Sequence, residues 1–220
     1  MRFLSAILIS STLLVWSCNF EHDSSHSKST PGDMNNDDIP NNVELATLGG
    51  GCFWCTEAVY QNLQGVYSVT SGYSGGTKET ADYKLVASGQ TKHAEVIQIK
   101  FDPAIITFED ILEIFWSVHD PTTLNRQGND VGPQYRSVIF YHNNAQKNTA
   151  EQSIASVATE IHDKPIVTEI APFEAFYEAE SYHQDYYKNV GDRNPYCTFI
   201  ITPKVTKLKK LFSDKLKQTD

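Results

Sequence analysis

An α+β domain is the fold class this sequence predicts, and three observations predict it. After a leader and a polar tether, residues 43–220 remain as one stretch, long enough for a single domain with a sizeable core. Within that stretch, runs of strand period and runs of helical period mix without strict alternation. This favours a sandwich of sheet and helices over a doubly wound parallel sheet. No internal repeat is present.

Residues 1–17 carry one basic residue, Arg2, and an apolar run from Phe3 to Val15, well short of the roughly 20 residues that span a bilayer. They read as a secretory signal. Val15-Trp16-Ser17-Cys18 resembles a bacterial lipoprotein signal, in which the cysteine is lipidated after cleavage, so Cys18 is the expected anchor. The protein is then expected to be exported and held in the bacterial cell envelope, on the periplasmic side. From residue 18 to 42 the composition turns to Ser, Asn, Asp, Pro and Gly, which cannot bury enough surface to offset ordering, and a disordered tether is expected.

The domain opens with a predicted strand, Val43 to Leu48, followed by three glycines and a helix from Phe53 to Leu63. Cys52 therefore stands at a strand-to-helix turn. Unpaired N–H groups and the helix dipole there favour a thiolate, so Cys52 is expected to titrate below the free value of about 8.5 and to act as a nucleophile. Val66 to Tyr73 is a second strand, and Tyr83 to Ser88 is ambiguous. In the next strand Glu95 shares the apolar face of Ile97, Ile99 and Phe101, so burial should raise its pKa and keep it protonated, as a general acid requires.

Thr107 caps a helix with Asp110 three residues on, and Ile111, Ile114, Phe115 and Val118 make its buried stripe. Trp116 and His119 are assigned to packing and capping. Residues 120–135 form a long polar connection that its prolines and glycines should keep ordered, and it ends in a strand, Ser137 to Tyr141. A surface helix from Asn144 to His162, a strand from Pro165 to Ile170, a tyrosine-rich helix from Glu174 to Asn189 and a last strand from Thr198 to Thr202 complete the expectation. The lysines from Lys204 to Lys217 read as the solvated face of a terminal helix.

The net charge is −9 and the acidic excess persists in the domain, which leaves no electrostatic footprint for nucleic acid. Cys52 and Cys55 have no second CxxC or paired histidines at ligand spacing, so no metal site is expected.

Five stretches together resemble the A-type peptide-methionine sulfoxide reductases. They are Gly-Cys-Phe-Trp at 51–54 with Thr-Glu-Ala after Cys55, Gly-Tyr-Ser-Gly-Gly at 72–76, His-Ala-Glu at 93–95, the run from Arg126 to Ser137, and Tyr-His-Gln-Asp-Tyr at 182–186. The resemblance covers essentially all of residues 43–210, in the family's order. It implies a ferredoxin-like α/β sandwich with a central mixed sheet flanked by helices. It also implies reduction of the S epimer of methionine sulfoxide, free or in proteins, with no bound cofactor and with thioredoxin or another dithiol as reductant. Carried over by position, it makes Cys52 the nucleophile and Glu95 the acid that protonates the sulfoxide oxygen. Tyr83 and Tyr135 become the hydroxyls that hold that oxygen, Asp130 the loop acid, and Phe53 and Trp54 the walls of the methyl pocket.

A sulfoxide oxygen leaves only once protonated, so a sulfur nucleophile and a neutral acid must face the same S=O, as Cys52 and Glu95 would. Attack leaves a sulfenic acid on Cys52 that a second thiol must remove. Cys55 is favoured by position and Cys197 by the resemblance, and the choice stays open at this point. Lys92 stands where the family often has glycine, which questions the local loop. Cys52-Phe53-Trp54-Cys55 also permits a general thiol–disulfide oxidoreductase, and the tether permits a binding lipoprotein with no chemistry.

Overall fold

The computed structural model describes residues 42–218; the expected signal, tether and Cys18 lie outside the described residues. Six strands form one mixed sheet in the order β7-β6-β1-β3-β2-β8. Among β6 (Ser137–Tyr141), β1 (Glu44–Gly50), β3 (Ala94–Phe101) and β2 (Val66–Ser74), each strand is antiparallel to the one beside it. With α1 (Phe53–Tyr60) after β1 and α3 (Phe108–Val118) after β3, the unit β1-α1-β2-β3-α3-β6 has the ferredoxin-like connectivity that the resemblance implied. β7 (Glu169–Pro172) adds in parallel beside β6, and β8 (Phe176–Glu178) antiparallel beside β2.

One face of the sheet centre is apolar along its length, with Ala46, Leu48, Ile97, Ile99 and Phe101 fully buried, while on the other Val96, Val138 and Phe140 form a smaller cluster and Lys100 reaches solvent. α3 contributes Ile111, Ile114, Phe115 and Trp116, and its N-terminus carries the expected capping box between Thr107 and Asp110, typically worth about 1 kcal/mol. Trp116 donates from Nε1 to Ser153 Oγ at 3.1 Å. His119 ends the helix with its ring held between the Phe115 carbonyl and the Ser137 hydroxyl, so both are structural residues.

The helix expected from Asn144 to His162 is present as α4 (Asn144–Ser153), a π turn (Ile154–Ala158) and α5 (Thr159–Ile161). The ambiguous stretch at Tyr83 is a short helix, α2 (Tyr83–Ala87), capped by Asp82, which accepts from Lys84 N and Leu85 N. The long polar connection is ordered around a small hairpin of β4 (Arg126–Gln127) and β5 (Asp130–Val131). Arg136 fixes its far end, donating to Glu169, to the Pro133 carbonyl and to the Lys92 carbonyl. Lys92 has a negative φ, so the usual glycine is not needed there.

Three expectations are corrected. The strand expected at 165–170 is shifted to Glu169–Pro172, where it finds β6 as its partner. The tyrosine-rich helix expected from Glu174 to Asn189 is instead β8, a single turn at Ser181–His183, and a short helix α6 (Tyr186–Val190). The open edge of β2 captures Phe176 to Glu178, and Asp185 adopts a left-handed φ of 51° that breaks any continuous helix. The strand expected at Thr198–Thr202 is a π turn, Cys197–Ile201, continuing into α7 (Thr202–Leu211). It pairs with no strand and packs against α1 instead. α7 buries Val205 and Leu208 and turns Lys207, Lys209 and Lys210 to solvent, as expected.

Candidate active site

Register brings the site together. β1 and β3 are antiparallel with Leu48 opposite Ile97, and β1 and β6 with Gly50 opposite Ser137. The end of β1, the start of β3 and the start of β6 thus lie at one end of the sheet. Cys52 follows the first, Glu95 opens the second and Tyr135 precedes the third. Gly51 turns the chain there with φ 91°, and a Cβ on it would lie 2.4 Å from Gln127 Cγ. Only glycine fits this path.

Cys52 is the N-terminal cap of α1, and both Cys52 and Glu95 are buried. The first free N–H of α1, that of Phe53, donates to Glu95 Oε2 at 3.1 Å. The helix terminus therefore serves the carboxyl, not the sulfur. Burial raises the Glu95 pKa to about 8 despite that bond, so the acid expected from the strand pattern is neutral at pH 7.

The expectation for Cys52 is reversed. Burial, with the neighbouring Cys55 and Glu95, pushes its thiol well above the ordinary value. The Cys55 sulfur, accepting a hydrogen bond from Cys52 and lying near Lys204, is lowered to about 7. The depressed thiol is thus one helical turn further on, and Cys52 rests as a thiol beside a protonated carboxyl.

Tyr83 on α2, Tyr135 and Asp130 on β5 face the same pocket of about 300 Å³ as Cys52, Glu95, Phe53 and Trp54. The structure brings together all seven residues the sequence assigned to reduction and substrate binding. Burial raises both phenols further above neutral pH, so Tyr83 and Tyr135 remain protonated hydrogen-bond donors.

The aromatic wall has supports that sequence reasoning missed. Trp54 stacks on Tyr186 with ring centroids 3.8 Å apart, and its Nε1 donates to His183 Nδ1 at 3.1 Å. That bond puts the His183 proton on Nε2. The buried Glu57 on α1 accepts from Tyr186 N at 3.3 Å, pinning the chain at the left-handed Asp185. Burial raises the Glu57 pKa to about 7. Glu180 holds the opposite side, accepting from Tyr73 Oη at 2.9 Å and Tyr83 N at 3.0 Å. Tyr196, also unassigned from sequence, closes the pocket: its hydroxyl donates to Asp130 at 2.6 Å and lies 3.8 Å from Cys55 Sγ. His183 and Tyr186 belong to the 182–186 motif, the one signal that could have found them.

Cys52, Cys55 and Cys197 are all free and buried. Cys197 opens the π turn beside α1, and burial raises its thiol. Among the described residues no group of three or more His, Cys, Asp or Glu is arranged to hold a metal.

A buried thiol beside a neutral carboxyl, in an aromatic pocket on a ferredoxin-like sheet, fits a thiol-based oxidoreductase. A family model for peptide methionine sulfoxide reductase matches residues 44–216. A peptide methionine sulfoxide reductase MsrA of Saccharolobus solfataricus is 58% identical over 175 residues, covering 80% of this chain and 98% of its own. That of Deinococcus radiodurans is 48% identical over 200 residues, covering 90% and 97%. The reduced form of Mxr1 from Saccharomyces cerevisiae superposes with a TM-score of 0.63 at 35% identity, over 69% of this chain and 87% of that one. Methionine sulfoxide reductase A of Corynebacterium diphtheriae gives 0.59 at 30% identity, over 68% and 76%. The chain belongs to the peptide methionine sulfoxide reductase family. A general thiol–disulfide oxidoreductase is not favoured: beyond this membership, such an enzyme needs a depressed pKa on the first cysteine of its CxxC, and here the first is raised.

Proposed function

We propose that this protein reduces the S epimer of methionine sulfoxide, free or within proteins, to methionine with thiol electrons, and so repairs oxidised proteins. The observation that carries this reading is the neutral carboxyl of Glu95 lining one pocket with the Cys52 sulfur. Phe53 and Trp54 take the methyl group, and the Tyr83 and Tyr135 hydroxyls hold the oxygen, with Asp130 at the rim.

Cys52 attacks the sulfoxide sulfur while Glu95 gives its proton to the oxygen, and the thiol proton of Cys52 replaces the one Glu95 spends. The S=O bond breaks, methionine leaves, and Cys52 carries a sulfenic acid. Cys55, within hydrogen-bonding reach of Cys52, closes a disulfide with loss of water, and Cys197 behind it receives the bond in a further exchange. A thioredoxin-like protein or another dithiol returns the two electrons.

Separated S and R epimers of a dabsylated methionine sulfoxide peptide, with dithiothreitol, test the reading: only the S epimer should yield methionine. Glu95→Gln should keep the fold and slow the reductive step by at least about 10²-fold, the usual worth of a general acid. Methionine formation by Glu95→Gln at the wild-type rate would remove Glu95 from this role.

The apolar run before Val15-Trp16-Ser17-Cys18 supports export and lipid attachment at Cys18, with residues 18–42 as tether. Among the described residues no helix is long and apolar enough to cross a membrane. Cys18→Ala should then abolish fatty-acid labelling.

A further inference from the structure

Two cavities meet at Cys52. The first is the substrate pocket; the second, of about 910 Å³, is lined by Cys55, Pro203, Lys204 and the exposed Phe199. They share only Cys52, Asp130 and Tyr196, and Cys55 opens to the second alone. The wall between them is the Tyr196 side chain. Its ring meets Trp54 edge-on at 6.0 Å, and its hydroxyl sits between the Asp130 carboxylate and the Cys55 sulfur.

We infer that Tyr196 is the positioning residue of the resolving step: its hydroxyl, anchored on Asp130, aims the Cys55 thiol at the Cys52 sulfenic acid and passes on its proton. The inference rests on the reading above that Cys55 resolves first. A thiol attacking a sulfenic acid must lose its proton and point its sulfur lone pair along the S–O axis, and nothing in the flexible Cys side chain enforces either. At 2.6 Å the Tyr196 proton is committed to Asp130, which leaves the phenolic oxygen free to accept from Cys55. When Cys55 attacks, its S–H proton moves to the Tyr196 oxygen while the phenolic proton passes to Asp130. The Cys52 S–O bond breaks, the Cys52–Cys55 bond forms, and the departing hydroxide takes the proton from Asp130 and leaves as water. One sulfenic acid and one thiol give one disulfide and one water, with no outside oxidant or base. Burial keeps the phenol itself protonated, as a relay of this kind requires.

The geometry separates the two half-reactions in space. Substrate sulfur meets Cys52 from the Glu95 side, and Cys55 meets it from the Tyr196 side. Removing the hydroxyl alone should therefore act more on the second step than on the first.

Tyr196→Phe keeps the ring and its contact with Trp54. With one equivalent of substrate and no reductant, methionine release and disulfide formation are followed separately, and the sulfenic acid is trapped with dimedone. The expected result is disulfide formation slowed at least about tenfold more than methionine release, with the Cys52 sulfenic acid accumulating where the wild type shows almost none. Equal slowing of both steps, or disulfide formation at the wild-type rate, overturns the inference while leaving Cys55 as resolver. Mapping the wild-type disulfide to Cys52–Cys197 instead would overturn the Cys55 reading, and this inference with it.

Discussion

Gly51 shows how one atom positions the chemistry. The Cβ it lacks would strike Gln127, whose amide is tied to Asp120 through bonds of 3.1 Å at both its oxygen and its nitrogen. Gln127 pairs with Asp130 across the small hairpin, so pushing it outward carries the loop acid with it. Gly51→Ala should lower stability by at least about 1 kcal/mol, measured by urea unfolding, and reduce turnover, because the residue would be strained at φ 91° as well as crowded. An alanine variant with wild-type stability would mean the turn relaxes without moving Gln127. At this scale the sequence was readable where a residue's role follows from its neighbours in the chain. Glu95 betrayed itself by sitting in an apolar alternation, and Cys52 by its glycines. The ionisation of Cys52 was not readable, since it depends first on burial by the whole fold, then on Cys55 and on Glu95, a carboxyl 43 positions away that takes the helix N–H local reasoning gave to the sulfur. Tyr196 was hidden for the same reason: its partners, Asp130 and Cys55, are remote in sequence.

At the scale of elements, local periodicity found β1, β2, β3, β6, α1, α3 and the helical run from Asn144, each with a clear apolar pattern and its own punctuation. It failed at 174–189 and 198–202, where the decision was made by what the segment could pair with. The tyrosines of the first segment have helix-compatible spacing, yet the unpaired edge of β2 and the left-handed Asp185 divide them between a strand and a support for the active site. That support is the stack of Tyr186 under Trp54, with rings 7° from parallel. Such pairs are worth about 0.5–1.5 kcal/mol beyond area burial. Tyr186→Leu should therefore free the indole and raise KM for a methionine sulfoxide peptide up to about tenfold, with kcat changed much less, since neither Cys52 nor Glu95 touches that ring. A fall in kcat at constant KM would instead tie the stack to the chemical step.

Across the whole molecule, folding buries two carboxyls that the unfolded chain would leave ionised at neutral pH. The two carboxyls, Glu57 near 7 and Glu95 near 8, have native pKa values above the ordinary value of about 4.3, and desolvation is the main cause of both. For an acid raised in this way, the native state holds a proton that the unfolded chain has released. Its full contribution to stability is present below about pH 4.3 and is lost as pH rises towards the native value. The buried histidines act in the opposite sense. His119, lowered by burial to about 3, stays neutral in the native state while the unfolded chain takes up a proton below about 6.5, so it costs stability on the acid side. Glu57 is the group to isolate, because it touches no substrate and its isostere keeps its shape. Urea midpoints of wild type and Glu57→Gln should diverge as pH rises from 5 to 8, the variant gaining on the wild type by on the order of 3 kcal/mol, with most of the change complete just above pH 7. A constant gap across that range would mean that Glu57 is already ionised in the native state. The N–H groups at Asp185 and Tyr186 would then fully offset its burial, and the clamp beneath Trp54 would be an anion site instead of a neutral hydrogen bond.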